Sequence, residues 1–71
     1  MQTQDSPRLL RLPEVIQKTG LSRSAVYRQE EAGTFPRRVS IGDNSRAWLE
    51  AEVDEWIIDR LAARDSQGLP A

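Results

Sequence analysis

The chain has 71 residues, of which 30% are charged, with no cysteine, no histidine and a formal net charge of −1. A chain this short forms one small domain that buries about 60% of its unfolded surface. The missing cysteine and histidine exclude disulfides and thiolate metal sites, and remove the commonest general base and metal ligand. No apolar run approaches the roughly 18 residues of a membrane span, so we expect a cytoplasmic protein that binds no membrane.

The two parts of the chain carry opposite charge. Residues 1–46 contain eight basic and five acidic residues, a net charge of +3, whereas residues 47–71 contain two basic and six acidic residues, a net charge of −4. Nine of the ten basic residues are arginine, whose forked guanidinium suits phosphate and guanine. The pattern indicates one side that faces a polyanion and one acidic, solvated side, although chance asymmetry in a highly charged chain is the alternative explanation.

The first predicted elements are two short helices joined by a tight turn. An apolar stripe predicts a helix at Pro13–Thr19, with Gly20 as its stop. Ser22 suits the N-cap of a second helix, because its side chain can accept a hydrogen bond from a free backbone N–H. This helix should run from Arg23 to about Ala32 and end at Gly33. Two short helices joined by a three-residue turn that contains glycine are typical of a helix-turn-helix unit.

A hairpin and a longer helix follow. Residues 38–41 alternate polar and apolar side chains, residues 42–45 favour a turn, and residues 46–49 form the returning strand. Phe35, in the loop before the hairpin, is expected to be buried. The last helix is predicted from Glu50 to about Ala63, and its core-facing stripe contains Leu49, Val53, Trp56, Ile57 and Leu61.

These elements predict the fold class and the domain limits. The fold is mostly α with a small β-hairpin, which is a winged helix-turn-helix of the MerR/excisionase-like type. The domain is expected at residues 8–64, between a disordered segment at 1–7 and a flexible tail at 65–71.

No arrangement of residues points to catalysis. The sequence has no glycine-rich phosphate loop, no Ser/His or Cys/His pair and no cluster with metal-ligand spacing. Neighbouring acids such as Asp54 and Glu55 are better explained as the solvated face of the last helix. The sequence therefore predicts no enzyme, no cofactor, no metal site and no small-molecule ligand.

A helix-turn-helix offers a physical route to duplex DNA, because its second helix fits the major groove. The recognition helix is expected at about 22–32, with its first residues toward base edges. Small serines can approach and donate to phosphate, and arginines can reach phosphate or guanine. The predicted contacts are Ser22, Arg23, Ser24, Tyr27 and Arg28. Helix capping is the alternative role of Ser22, and core packing is that of Tyr27.

The predicted wing at 42–46 supplies a second surface. A hairpin with arginine near its tip can lie along the DNA backbone or in the minor groove. The candidate contacts are Arg37 and Arg38 at the base of the hairpin, and Asn44, Ser45 and Arg46 at its tip or descending arm. A polar turn with arginines that only aid solubility is the alternative explanation.

Several motifs in order support this interpretation. TGLSRSAVYR occupies 19–28 and GTFPRRV occupies 33–39, and after them come Trp48, Glu52, Val53, Glu55, Trp56 and Ile57. With these motifs, residues 9–61 resemble the AlpA-type prophage regulators, small winged-helix proteins related to phage excisionases and to the DNA-binding domain of MerR-type regulators. The chain departs from the family at Gln29 and Glu30, where the family usually has apolar residues.

The resemblance implies sequence-specific binding of double-stranded DNA and control of prophage or mobile-element genes, in a nucleoid-associated protein. The contacts proposed above would then belong to the recognition helix and the wing. An excisionase-type factor that bends DNA and assists an integrase is the closest alternative, and RNA polymerase is the other candidate partner. A protein-interaction module on the same fold is a third hypothesis, favoured by the acidic last helix and by Gln29 and Glu30.

Overall fold

The computed structural model describes residues 6–66, and the elements in this part of the chain follow the predicted order with one strand added. Three helices pack with a three-stranded antiparallel sheet of strand order β1-β3-β2. The predicted fold class, a mostly helical winged helix-turn-helix with a small hairpin, is confirmed. The elements are β1 (Leu9–Leu10), α1 (Leu12–Thr19), α2 (Arg23–Ala32), β2 (Val39–Gly42), β3 (Ser45–Leu49) and α3 (Glu50–Ser66).

Local hydrogen bonds close the turn between α1 and α2. Gly20 has φ 79° and donates its backbone N–H to the carbonyl of Ile16 at 2.8 Å, and this left-handed conformation favours glycine. The Ser22 hydroxyl accepts the backbone N–H of Ala25 at 3.1 Å. The predicted stop and cap are therefore confirmed. α1 begins at Leu12, one residue earlier than predicted, because extended Arg11 is its N-cap.

The sequence analysis missed β1. Leu9 pairs with Leu49, and Leu10 pairs with Trp48. The backbone N–H of Glu50 also donates to the carbonyl of Arg8 at 2.8 Å. A strand of two residues has no periodicity of its own to detect, and here it forms because β3 offers a free edge. β1 fixes the start of α1 against the hairpin.

The hairpin strands are shifted by one residue from their predicted limits. β2 occupies 39–42 rather than 38–41, and β3 begins at Ser45 rather than Arg46. A register shift lies between Ser40 and Gly42, and Asn44 at the tip has φ 56°. Arg38 lies outside the strand because its backbone N–H donates to the carboxylate of Glu30 at 2.7 Å.

The core lies between the helices and the sheet. Its buried residues are Leu10, Val15, Val26, Phe35, Trp48 and Val53. The predicted burial of Phe35 and Val53 is therefore confirmed. Leu61 was predicted to face the core, but it is 48% exposed. α3 continues to Ser66 beyond the rest of the domain, and all its residues from Ile58 onward are exposed.

Ion pairs join α1 to α3 on one side of the domain. The Lys18 ammonium lies 2.9 Å from the Asp54 carboxylate and 3.1 Å from that of Glu50. These hydrogen bonds, first to Asp54 and then to Glu50, raise the pKa of Lys18 above its ordinary value of 10.5. Arg8 lies 3.3 Å from Glu14 and 3.4 Å from Glu50. Two of the basic residues are thus neutralised by neighbouring acids.

The predicted terminal segments lie mostly outside the described residues. This holds for the segment expected to be disordered at 1–7 and for the tail expected at 65–71, of which Asp65 and Ser66 belong to α3. The domain limits of 8 and 64 stay a prediction. Within residues 6–66, no helix has the length and apolar character needed to cross a membrane.

Candidate nucleic-acid interface

α2 has one packed face and one open face. Ala25 and Val26 are buried, and Gln29 and Glu30 are half-buried. Because successive residues of a helix are about 100° apart, positions 23, 24, 27, 28 and 31 lie on the opposite side. There the structure places the exposed side chains Arg23, Ser24, Arg28 and Glu31, with Tyr27 half-buried among them. The open face therefore contains four of the five contacts predicted on this helix.

Tyr27 connects the open face of α2 to the core. Its ring centroid lies 6.4 Å from that of Trp48, and the guanidinium of Arg38 lies 5.3 Å from the centre of the tyrosine ring. Packing against the core, one of the two roles predicted for Tyr27, is thus present. Its hydroxyl contact with phosphate stays a prediction.

A groove of about 710 Å³ runs between α2 and the hairpin. Five of the residues predicted to contact DNA line this groove, two from α2 and three from the hairpin and its base. Two acidic side chains from the end of α2 complete the lining. The residues around this groove are Arg23, Tyr27, Glu30, Glu31, Arg37, Arg38 and Arg46. The fold therefore brings the predicted recognition helix and the base of the wing to one concave surface.

Glu30 joins the end of α2 to the start of the wing. Its side chain is 8% exposed and its carboxylate accepts two donors from Arg38, the backbone N–H at 2.7 Å and the guanidinium Nε at 3.3 Å. The same guanidinium covers the ring of Tyr27. The departure from the family pattern at Glu30 thus has a structural role, and the charge of Arg38 is neutralised locally.

The remaining predicted contacts do not line this groove. Ser22 is exposed but caps α2 with its hydroxyl. Asn44, at the hairpin tip, lines a second depression together with Arg23 and Arg46. Ser45 is half-buried in β3. The two depressions together therefore contain six of the ten predicted contacts, whereas Ser22, Ser24, Arg28 and Ser45 line neither.

Ion pairing separates the basic residues of 6–66 into two groups. Arg8, Lys18, Arg38 and Arg64 each have an acidic partner, and Arg60 lies over the ring of Trp56 at 5.0 Å. Arg60 therefore has no ion-pair partner either. Five further exposed arginines in this part of the chain also lack one, and they belong to α2, the hairpin with its base, or the residue before α1. They are Arg11, Arg23, Arg28, Arg37 and Arg46.

Sequence analysis missed Arg11 on this surface and left the orientation of Glu31 undecided. Arg11 lines the second depression beside Arg23, Asn44 and Arg46. Glu31 lines the main groove from the open face of α2. Helical spacing could have placed Glu31, because it lies four residues after Tyr27. No sequence signal could have placed Arg11, since its position depends on the pairing of β1.

The described residues offer no metal centre. No group of three or more histidine, cysteine or acidic side chains within 6–66 is arranged to hold a metal ion.

The fold and this surface define a winged helix-turn-helix protein. Five of the six arginines without an ion-pair partner in residues 6–66 lie on the second helix, the hairpin with its base, or the start of the first helix. Residues 8–61 match the family described as "Prophage CP4-57 regulatory protein (AlpA)". The chain belongs to this family, and the resemblance stated from the sequence motifs is confirmed.

Two relatives show how far the similarity extends. The chain is 41% identical to "DNA-binding transcriptional activator AlpA" of Escherichia coli (strain K12) over 66 residues, which cover 84% of this chain and 94% of that protein. It is 47% identical to "Uncharacterized protein ORF88" of Enterobacteria phage P4 over 57 residues, which cover 80% of this chain and 65% of that protein. The chain therefore spans just under two thirds of the phage protein's length.

Proposed function

We propose that the chain binds double-stranded DNA and regulates transcription of prophage or mobile-element genes. The observation that carries this proposal is the distribution of the six arginines of 6–66 that have no ion-pair partner. Five of them lie on α2, the hairpin with its base, or the residue before α1, and one, Arg60, lies on α3. Unpaired arginines attract phosphate, because each one can release counterions from the duplex. The printed name of the Escherichia coli relative, a DNA-binding transcriptional activator, supports the same function.

In the proposed complex, α2 enters the major groove with its first turn toward base edges. Arg23 and Arg28 contact guanine or phosphate, and the exposed Ser24 donates to phosphate. The wing follows the DNA backbone or the minor groove through Arg37, Asn44, Ser45 and Arg46. Arg38 contributes indirectly, because its ion pair with Glu30 holds the wing against α2. Ser22 contributes by capping α2.

Selection of bound fragments from the source genome, followed by affinity measurements at several salt concentrations, tests this function. We expect one DNA sequence to be enriched. We also expect the logarithm of the binding constant to fall linearly with the logarithm of the salt concentration, with a slope of about −0.9 for each phosphate contacted. Sites at promoters support transcriptional regulation, whereas repeated sites at an attachment locus support the excisionase alternative. Absence of an enriched sequence rules out a sequence-specific regulator.

Replacing Glu31 by glutamine should strengthen binding to any duplex. Glu31 is exposed among the arginines of the groove, and within residues 6–66 it forms no ion pair. Its carboxylate repels phosphates, so we expect a gain of about threefold to tenfold at low salt that shrinks as salt rises. Fluorescence anisotropy with two unrelated duplexes measures the effect.

Glu52→Gln is the matched control for Glu31→Gln. Glu52 is an exposed acid on α3, and it lines a different depression. Both variants raise the net charge of the chain by one. Equal gains in the two variants would show that total charge, rather than the position of Glu31 in the groove, sets the affinity.

A further inference from the structure

We propose that Arg11, Arg23 and Arg46 form a binding site for one phosphate group of the DNA backbone, at the junction of α1, α2 and the wing. This inference rests on the proposed function and adds a site that the recognition helix and wing alone do not contain. The site occupies the second depression, which has a volume of about 360 Å³ and also includes Asn44.

Arg11 is held in place by its backbone. Its carbonyl accepts the backbone N–H groups of Glu14 at 2.9 Å and Val15 at 3.0 Å, and its own N–H donates to the Glu14 carboxylate at 2.9 Å. The residue before it, Leu10, pairs with Trp48 of the sheet. These contacts position the Cα of Arg11 while its side chain stays exposed.

The other two arginines reach the depression from different elements. Arg46 lies two residues before Trp48 in β3, so both side chains lie on the same face of the sheet. Trp48 packs against Tyr27, and Arg23 lies one helical turn before Tyr27 on α2. This aromatic pair and all three arginines line the same depression.

The chemistry of the lining favours an anion. The residues around the depression include three arginines and no acid, in contrast to the main groove, which contains Glu30 and Glu31. Leu12, Pro13, Asn44, Tyr27 and Trp48 complete the lining, so no carboxylate competes for the guanidinium groups. Guanidinium groups bind phosphate with two parallel hydrogen bonds. A phosphodiester is the polyanion unit that fits this donor set.

A phosphate in this site would be contacted by the first helix, the recognition helix and the wing together. Contacts to the backbone carry no sequence information, but they fix the register and orientation of a protein on the duplex. The site would therefore set how far α2 enters the major groove, and it would act equally on specific and unrelated DNA.

Arg11→Ala tests the site. We expect weaker binding to the selected sequence and to an unrelated duplex by the same factor, and a decrease of about 0.9 in the salt slope on each. Arg11→Lys should keep the slope, because it keeps the charge. The matched control is Arg64→Ala, since Arg64 lies on α3 and is paired with Asp65 at 2.9 Å.

A second measurement identifies the phosphate itself. Neutral methylphosphonate groups are placed one at a time in the DNA backbone. At one position the substitution should weaken binding of the original chain but leave binding of the Arg11→Ala variant unchanged. Thermal melting followed by circular dichroism checks that both variants fold.

The outcomes separate this site from the proposed function. If the original chain shows salt-dependent binding but Arg11→Ala behaves like Arg64→Ala, the phosphate site is wrong and the function stands. A loss confined to one DNA sequence also overturns the site, because it indicates a base contact. If the original chain binds no duplex at low salt, the proposed function fails and the site fails with it.

Discussion

Arg23→Ala should weaken binding to the selected DNA sequence by about 1–3 kcal/mol, which is a loss of roughly fivefold to 150-fold. Arg23 is the first residue of α2, where a recognition helix comes closest to base edges. It is exposed, it has no ion-pair partner within residues 6–66, and it lines both depressions of the surface. Its removal therefore takes away a donor that no neighbouring acid already occupies.

The pattern of loss across DNA sequences shows what Arg23 contacts. A guanine contact gives a large loss on the selected sequence and relaxed preference at one base pair, whereas a phosphate contact gives an even loss on all sequences. Anisotropy titrations of single-base variants measure both, with Arg64→Ala as the control. Unchanged affinity of Arg23→Ala and Arg28→Ala for every fragment would favour the protein-interaction hypothesis instead.

Local signals in the sequence were sufficient to predict the helix-turn-helix. Ser22 caps α2 through a backbone N–H three residues away, and Gly20 ends α1 with a left-handed conformation. Each of these features depends on neighbouring residues only, so the residue type determines it directly. Position along the helix then placed Arg23 and Arg28 on the open face, because they lie opposite the buried pair of α2.

Features that depend on distant residues could not be predicted in the same way. β1 exists because Leu10 pairs with Trp48, far along the chain, and the position of Arg11 follows from that pairing. Leu61 continues the apolar period of α3, but periodicity shows only which face is apolar and not how far a neighbour extends to cover it. From Ile58 to Ser66 every residue of α3 is exposed, and Leu61 is 48% exposed.

Glu30 is the residue whose role changed most between sequence and structure. Its orientation toward DNA could not be decided from the sequence, because the Arg38 groups that bind its carboxylate are eight residues away. The structure places the carboxylate inward, away from phosphates, and makes it the link between α2 and the wing. Glu31, the next residue, is the exposed acid on the open face of α2.

Glu30→Ala should destabilise the domain by about 1–3 kcal/mol, because it removes the acceptor of a backbone N–H and leaves the Arg38 guanidinium without its carboxylate. Each kcal/mol lowers the melting temperature of a domain this small by about 4–8 °C, so calorimetry resolves the change. Glu30→Gln should be milder, since the amide oxygen still accepts the Arg38 N–H. Glu31→Ala is the matched control. Equal melting temperatures of Glu30→Ala and Glu31→Ala would contradict the role of Glu30 in joining α2 to the wing.

The same link predicts opposite roles for the two neighbouring arginines of the hairpin base. Arg38→Ala should lower the melting temperature in the same direction as Glu30→Ala, because it breaks the ion pair and uncovers the ring of Tyr27. Arg37 has no ion-pair partner within residues 6–66 and lines the groove, so Arg37→Ala should leave the melting temperature unchanged and reduce DNA affinity. Because Glu30 pairs with Arg38, Arg37 stays available to bind DNA. If instead Arg37→Ala lowers the melting temperature and Arg38→Ala does not, other contacts orient the wing.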